Sequence, residues 1–191
     1  MQMKGTTLRK TGLPFALAAA LLSVFATPAM AADPVPFVAG PVFTTFGAVA
    51  KVDSDMPIPA NATFKVVFDV NTAGEPGAVN RTFDSAARFI NMHVAAGVPE
   101  RNIHVVVVVH GTASGDLVQD GVYAAAHQGK PNPNAAAIAA LIAHGVDFYL
   151  CGQSAARYGI ARKDLLPGVK VALSAMTVHA LLQQQGYAEL P

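Results

Sequence analysis

The sequence predicts an α/β fold, with a mostly parallel sheet and helices on both of its faces. Three observations carry this expectation. Short runs rich in β-branched and aromatic residues alternate with stretches whose apolar residues recur at helical spacing. Gly and Pro stand at the junctions between them. The run Val105–Val109 is unbroken valine, as in a central strand buried on both faces. Strands separated by helices are joined by right-handed crossovers and so lie parallel.

The chain divides into three parts. Residues 1–31 read as a secretory signal peptide: Lys4, Arg9 and Lys10 precede an apolar run from Leu13 to Ala26, and Pro28-Ala29-Met30-Ala31 offers a small-residue cleavage site after Ala31. That reading makes the product periplasmic or secreted. The apolar run is shorter than the roughly 20 residues a membrane helix needs. No cysteine follows it, which argues against a lipid-anchored lipoprotein. Residues 32–61, with Pro34, Pro36, Pro41, Pro57 and Pro59, read as an extended N-terminal strap that buries Phe37, Val42, Phe43 and Phe46. Residues 62–191 form the α/β domain.

Within that domain, Thr63–Val70 is the first strand candidate. From Ala78 to Ala96, Val79, Phe83, Ala87, Ile90 and Val94 mark one helical face, with Arg81, Asp84, Arg88 and Asn91 on others. Gly97 and Pro99 end that helix. Asn102–Val109 is the second strand. Short helical pieces are expected around Ser114–Val122. Asn134 is placed to cap a helix over Ala135–His144, whose buried stripe is Ile138, Leu141 and Ile142. Val146–Leu150 is the third strand, followed by a helix over Gln153–Tyr158. Val169–Leu173 is the fourth strand, Met176–Gln185 the last helix, and Tyr187–Leu190 a short fifth strand.

Charge narrows the function classes. Without the three signal-peptide cations, 10 basic residues face 12 acidic ones, a net charge near −2. No basic patch or charge run stands out, so neither nucleic acid nor an anionic membrane surface is an expected partner.

In parallel sheets, chemistry collects beyond the carboxyl ends of the strands. Four segments are expected there: Asn71-Thr72, His110-Gly111-Thr112, Cys151-Gly152-Gln153 and Ser174-Ala175. Cys151 is the only cysteine, so an internal disulfide or a dithiol cycle within one chain is excluded. It stands where a strand turns into a helix, with Gly152 leaving room for the turn. The N–H groups from Gln153 onward favour negative charge, which should lower the thiol's pKa. The competing reading is a buried, inert thiol acting as a small apolar residue. His110, on the same edge, is a candidate proton acceptor for the thiol or partner for the thiolate; bonding to a loop carbonyl is the alternative. Gln153 and Ser154, with Gly111 and Gly152, are candidates for ligand contact, while capping alone would also account for Gln153 and Ser154. No HExxH or CxxC spacing marks a metal site, and GxGxxG, P-loop and GxSxG patterns are missing. No cofactor is expected.

The run YLCGQSAARYGIARKDLLPGVKVALSAMTVHALLQQQGY, together with VVVVVHGTA and KPNPN, resembles the DsrE/DsrF-like family of sulfur-relay proteins, in particular its exported single-domain members. The resemblance covers roughly residues 62–190. It implies a three-layer α/β/α sandwich with a central sheet of about five strands, assembled as a homo-oligomer, a trimer or hexamer. It also implies that Cys151 carries sulfane sulfur as a persulfide, exchanged with donor and acceptor proteins or small thiols. The resemblance supplies no comparable role for His110. The alternative to a sulfur carrier is a non-enzymatic module that binds a small anion, or a soft metal through Cys151 and His110.

Overall fold

Strand β1 (Phe64–Val70) pairs with β2 (Ile103–Val109) along its whole length, from Phe64↔Ile103 to Val70↔Val109. In the computed structural model these two form the centre of a five-stranded parallel sheet completed by β3 (Asp147–Cys151), β4 (Lys170–Ala172) and β5 (Ala188–Leu190), in the order β4-β3-β2-β1-β5. The structure describes residues 34–59 and 61–190, together with Gln2. The signal peptide expected over residues 1–31 therefore lies, Gln2 apart, outside the described residues. No helix among the described residues is long and apolar enough to cross a membrane.

Side-chain alternation along the strands divides the core in two. Val66, Phe68 and Val70 of β1, Val105, Val107 and Val109 of β2, and Phe148 and Leu150 of β3 point to one side. There they meet Phe83, Ala87 and Ile90 of α1 (Arg81–Ala95), Ile138 and Leu141 of α3 (Ala135–Ala143), and Ala155 of α4 (Gly152–Tyr158). Val67, Val106, Val108 and Cys151 point to the other side, against Ala175, Val178 and Leu182 of α5 (Ala175–Gln184). The strand order accounts for this asymmetry. The chain steps from β1 to β4 in one direction and then returns across the whole sheet to β5. Right-handed crossovers in opposite directions place their helices on opposite faces, so the return helix α5 has the second face to itself.

The helical pieces expected around Ser114–Val122 are a 3-10 segment, Gly111–Leu117, and α2 (Asp120–Ala126). Asn134 stands at the N-cap of α3, but its side chain makes no cap hydrogen bond. Its Oδ1 instead accepts from the backbone N–H of Asn80 at 2.7 Å. Asn80 is the working cap: its Oδ1 accepts from Thr82 N–H at the start of α1.

The polar face expected on α1 corrects in an informative way. Asn91 is fully buried rather than exposed. Its Oδ1 accepts from the N–H groups of Val42 and Phe43, at 3.0 and 2.9 Å, and its Nδ2 donates to the carbonyls of Phe43 and Gly47, both at 2.9 Å. Asp84 accepts from Gly47 N–H, and Arg88 donates to the Ala48 carbonyl. These polar residues face the backbone of the strap, which folds back on itself through a Val38↔Val49 bridge. Of the apolar strap residues expected to be buried, Phe43 is, Val42 and Phe46 are partly so, and Phe37 is exposed with Arg88 over its ring.

Candidate functional site

All four segments expected at the carboxyl edge meet there. Thr112 Oγ1 donates to the Asn71 carbonyl at 3.2 Å and accepts from Ala73 N–H at 3.1 Å. Gly111 N–H donates to Ser154 Oγ at 3.1 Å. Gly111 itself has φ +55°, and a Cβ there would stand 2.6 Å from the Asn71 carbonyl oxygen, so only glycine fits. Gly152 is required for a different reason: a Cβ would lie 2.5 Å from the carbonyl oxygen of Ala172, the register partner of Cys151.

Cys151 ends β3 and stands at the N-cap of α4, only 6% exposed and packed beside Ala175 and Val178. Burial alone pushes its thiol up. The backbone N–H groups of Ser154 and Ala175, the Ser154 hydroxyl and the Gln153 N–H pull it down, and the balance lies below the thiol's ordinary value. No formal cap hydrogen bond reaches the resting thiol. The donors are oriented dipoles near a large, soft atom, and their pull grows when the sulfur carries charge. Two helices contribute them, α4 through Gln153 and Ser154 and α5 through Ala175.

Ser154 therefore does more than cap. It takes a hydrogen bond from Gly111, and its hydroxyl is among the groups that lower the thiol's pKa. Gln153 is exposed, and its amide donates to the Leu173 carbonyl at 3.3 Å. Arg157 is exposed to solvent.

His110 lies one residue beyond the Val109↔Leu150 pair, as Cys151 does, so the two are neighbours in register on the α5 side of the sheet. No hydrogen bond joins them among the described residues. The His110 Nε2 instead sits 3.1 and 3.0 Å from the two carboxylate oxygens of Asp69. His179, from α5, approaches the same carboxylate, with Nε2 2.8 Å from Asp69 Oδ1. Asp69 and His179 are the residues that sequence reasoning missed. The available signal was modest: Asp69 is the one acidic residue in the strand run TFKVVFDV, on the parity opposite Phe68 and Val70.

A second polar cluster is structural. Buried Asp116 accepts from Asn80 Nδ2 and Gly74 N–H, and Asn132 of the KPNPN run donates to the carbonyls of Asp116 and Val118. Desolvation raises the Asp116 carboxyl above its ordinary value. Among the described residues, no group of three or more His, Cys, Asp or Glu is arranged to hold a metal ion. Concavities of about 560 Å³, beside Met56, Phe64 and His93, and of about 210 Å³, beside Tyr123, His127 and Lys130, are not lined by Cys151.

Comparison with known proteins agrees with the fold. The model of the DsrE/DsrF-like family matches residues 65–190. No curated protein matches the chain. Among solved structures, the protein of unknown function MTH1491 from Methanobacterium thermoautotrophicum is similar at a TM-score of 0.50 and 20% identity, over 66% of this chain and 97% of that one. The ychN protein from E. coli aligns at a TM-score of 0.48 and 19% identity, over 67% of this chain and 100% of its own.

Proposed function

This chain belongs to the DsrE/DsrF-like family, and from that premise we propose that it is an extracytoplasmic sulfur carrier that holds sulfane sulfur as a persulfide on Cys151. One observation carries the reading: the chain's only cysteine ends a strand beside the starts of two helices, and the N–H groups of Ser154, Ala175 and Gln153 with the Ser154 hydroxyl hold its thiol below the ordinary value. A structural thiol in an apolar core has no use for such donors. A thiol that must be nucleophile in one half-reaction and leaving group in the next uses them in both, because each half-reaction has Cys151 thiolate at one end.

In loading, the thiolate attacks the outer sulfur of a donor R–S–SH. The donor S–S bond breaks, R–S⁻ leaves with the electron pair and takes a proton, and Cys151–S–SH forms. In unloading, an acceptor thiolate attacks that outer sulfur and expels Cys151 thiolate. No net oxidation occurs. Donors and acceptors are proteins or small thiols. The mature protein, incubated anaerobically with thiosulfate or polysulfide, should gain the mass of one sulfur atom, and Cys151→Ser should gain none. No adduct on the wild type, or an equal adduct on the variant, would sink the reading.

Export rests on the charge and apolar pattern of residues 1–31, and N-terminal sequencing of protein recovered outside the cytoplasm should begin at Ala32. Assembly into a homo-oligomer is supported by Leu173, Met176 and Leu181, exposed at 72%, 78% and 51%. Sedimentation should then report a trimer or hexamer rather than a monomer. Metal binding through Cys151 and His110 has less support, since among the described residues no group of three or more His, Cys, Asp or Glu is arranged to hold a metal ion.

A further inference from the structure

The α5 side of the sheet's carboxyl end gathers titratable groups from every element packed there: Asp69 from β1, His110 beyond β2, Cys151 from β3, His179 from α5 and Glu189 from β5. The next titratable groups on this face are Tyr149 within β3, and Lys65, His104, Asp147, Lys170 and Tyr187 at the amino ends of the strands. An ionised carboxylate only accepts hydrogen bonds. Asp69 therefore sets the proton of both rings on Nε2, at 3.0 Å for His110 and 2.8 Å for His179. His110 Nδ1 has no partner among the described residues, and its side chain is 31% exposed. His179 is tighter, at 15% exposure. Glu189 Oε2 lies 3.3 Å from its Nδ1, out of line for a hydrogen bond, and that buried nitrogen has no hydrogen-bond partner.

Neighbouring strands lie about 4.8 Å apart, so His110 stands beside Cys151, yet no hydrogen bond joins the imidazole to the thiol among the described residues. The ring is left free to serve the other thiol of the exchange.

We propose that Asp69 is a positioning residue that holds His110 as the proton carrier for the donor and acceptor thiols of persulfide exchange, with His179 restraining the shared carboxylate. The proposal rests on Cys151 being the sulfur carrier. In loading, the imidazolium of His110 gives the Nδ1 proton to the departing R–S⁻. In unloading, the neutral ring takes the proton of the incoming R′–SH, and the thiolate so formed attacks Cys151–S–SH. Over one cycle R–S–SH and R′–SH become R–SH and R′–S–SH, and His110 returns to its starting state. Asp69 touches neither sulfur. It fixes the tautomer and supports the imidazolium.

The test uses the mature protein, loaded with polysulfide and then unloaded to small thiols of graded acidity, across a pH series. Asp69→Asn and His110→Gln should each slow unloading by about 10- to 100-fold at neutral pH. The loss should grow with the acceptor's pKa and vanish above that pKa, where the thiolate arrives already formed. Iodoacetamide alkylation of Cys151, which needs no proton carrier, should stay within about two-fold of wild type. A loss that persists unchanged at high pH, or a wild-type profile in Asp69→Asn, overturns the positioning role while leaving the carrier reading standing. A wild type that takes up no sulfur overturns both.

Discussion

Replacing Asn91 by alanine tests how the strap is held. Asn91 is 0% exposed and makes four hydrogen bonds to the strap, all between 2.9 and 3.0 Å. At a net value of about 1 kcal/mol each, their loss costs about 4 kcal/mol. If the strap stays docked, the N–H of Phe43 and its neighbours remain in a dry site and the cost rises. If it undocks, Phe43 leaves a site where it is 3% exposed, forfeiting about 1.5–3 kcal/mol of burial in place of those penalties. Either route gives a loss of about 4–7 kcal/mol, a large part of the stability of an ordinary domain. Urea unfolding measures the total, and amide exchange at Val42, Phe43 and Gly47 reports whether the strap has lifted. Asn91→Asp is the companion variant: it keeps the acceptor, loses both donors and places a charge in a fully buried site, so it should be at least as unstable at neutral pH. A loss below about 1 kcal/mol in Asn91→Ala with the strap amides still protected, or a wild-type Asn91→Asp, would refute the reasoning.

Other perturbations probe the thiol and its supports. Ser154→Ala should move the pH midpoint of Cys151 alkylation upward and cost about 1 kcal/mol, because Gly111 N–H loses its acceptor; an unmoved midpoint would show that the hydroxyl does not act on the sulfur. The native thiol's lowered pKa makes stability pH-dependent: the thiolate's contribution is complete above the ordinary value of 9.0 and is lost as pH falls through the native value. Under reducing conditions, wild type should therefore gain on Cys151→Ser as pH rises toward 9.0, and a pH-independent difference would contradict this. Gly152→Ala should lose about 1–3 kcal/mol in thermal unfolding, since the backbone oxygens 2.5 and 3.1 Å from the new Cβ have little room to yield. Asp116, raised by burial, confers stability that is complete below 3.8 and lost as pH climbs through its native value. Asp116→Asn escapes that loss, so the stability difference should shift toward the variant with rising pH; a constant difference would rule the linkage out.

What could be read from the chain followed from periodicity. The valine run of β2, the helical stripe of α1 and the placement of Cys151 at a strand end each depend on neighbours in sequence, and each stands in the structure as expected. What escaped depends on contacts between distant segments. Asn91 and Asp84 stand at spacings that look the same whether the partner is water or a strap more than thirty residues away. Asp69 and His179 are 110 residues apart, and only the return of α5 across the sheet brings them together. Ala175 has no side-chain chemistry to advertise, yet its backbone N–H acts on the sulfur. Gly152 was expected to ease a turn, and the pressure on it comes from the carbonyl of the adjacent strand's end.

The path of α5 has a consequence for how the protein is made. Residues 175–190 leave the ribosome after every other described segment, and they bring the Ala175 N–H, the hydrocarbon roof of Val178 and Leu182, and His179. Until they arrive, a nascent or prematurely terminated chain shows its cysteine to passing oxidants without the groups that later tune and shelter it.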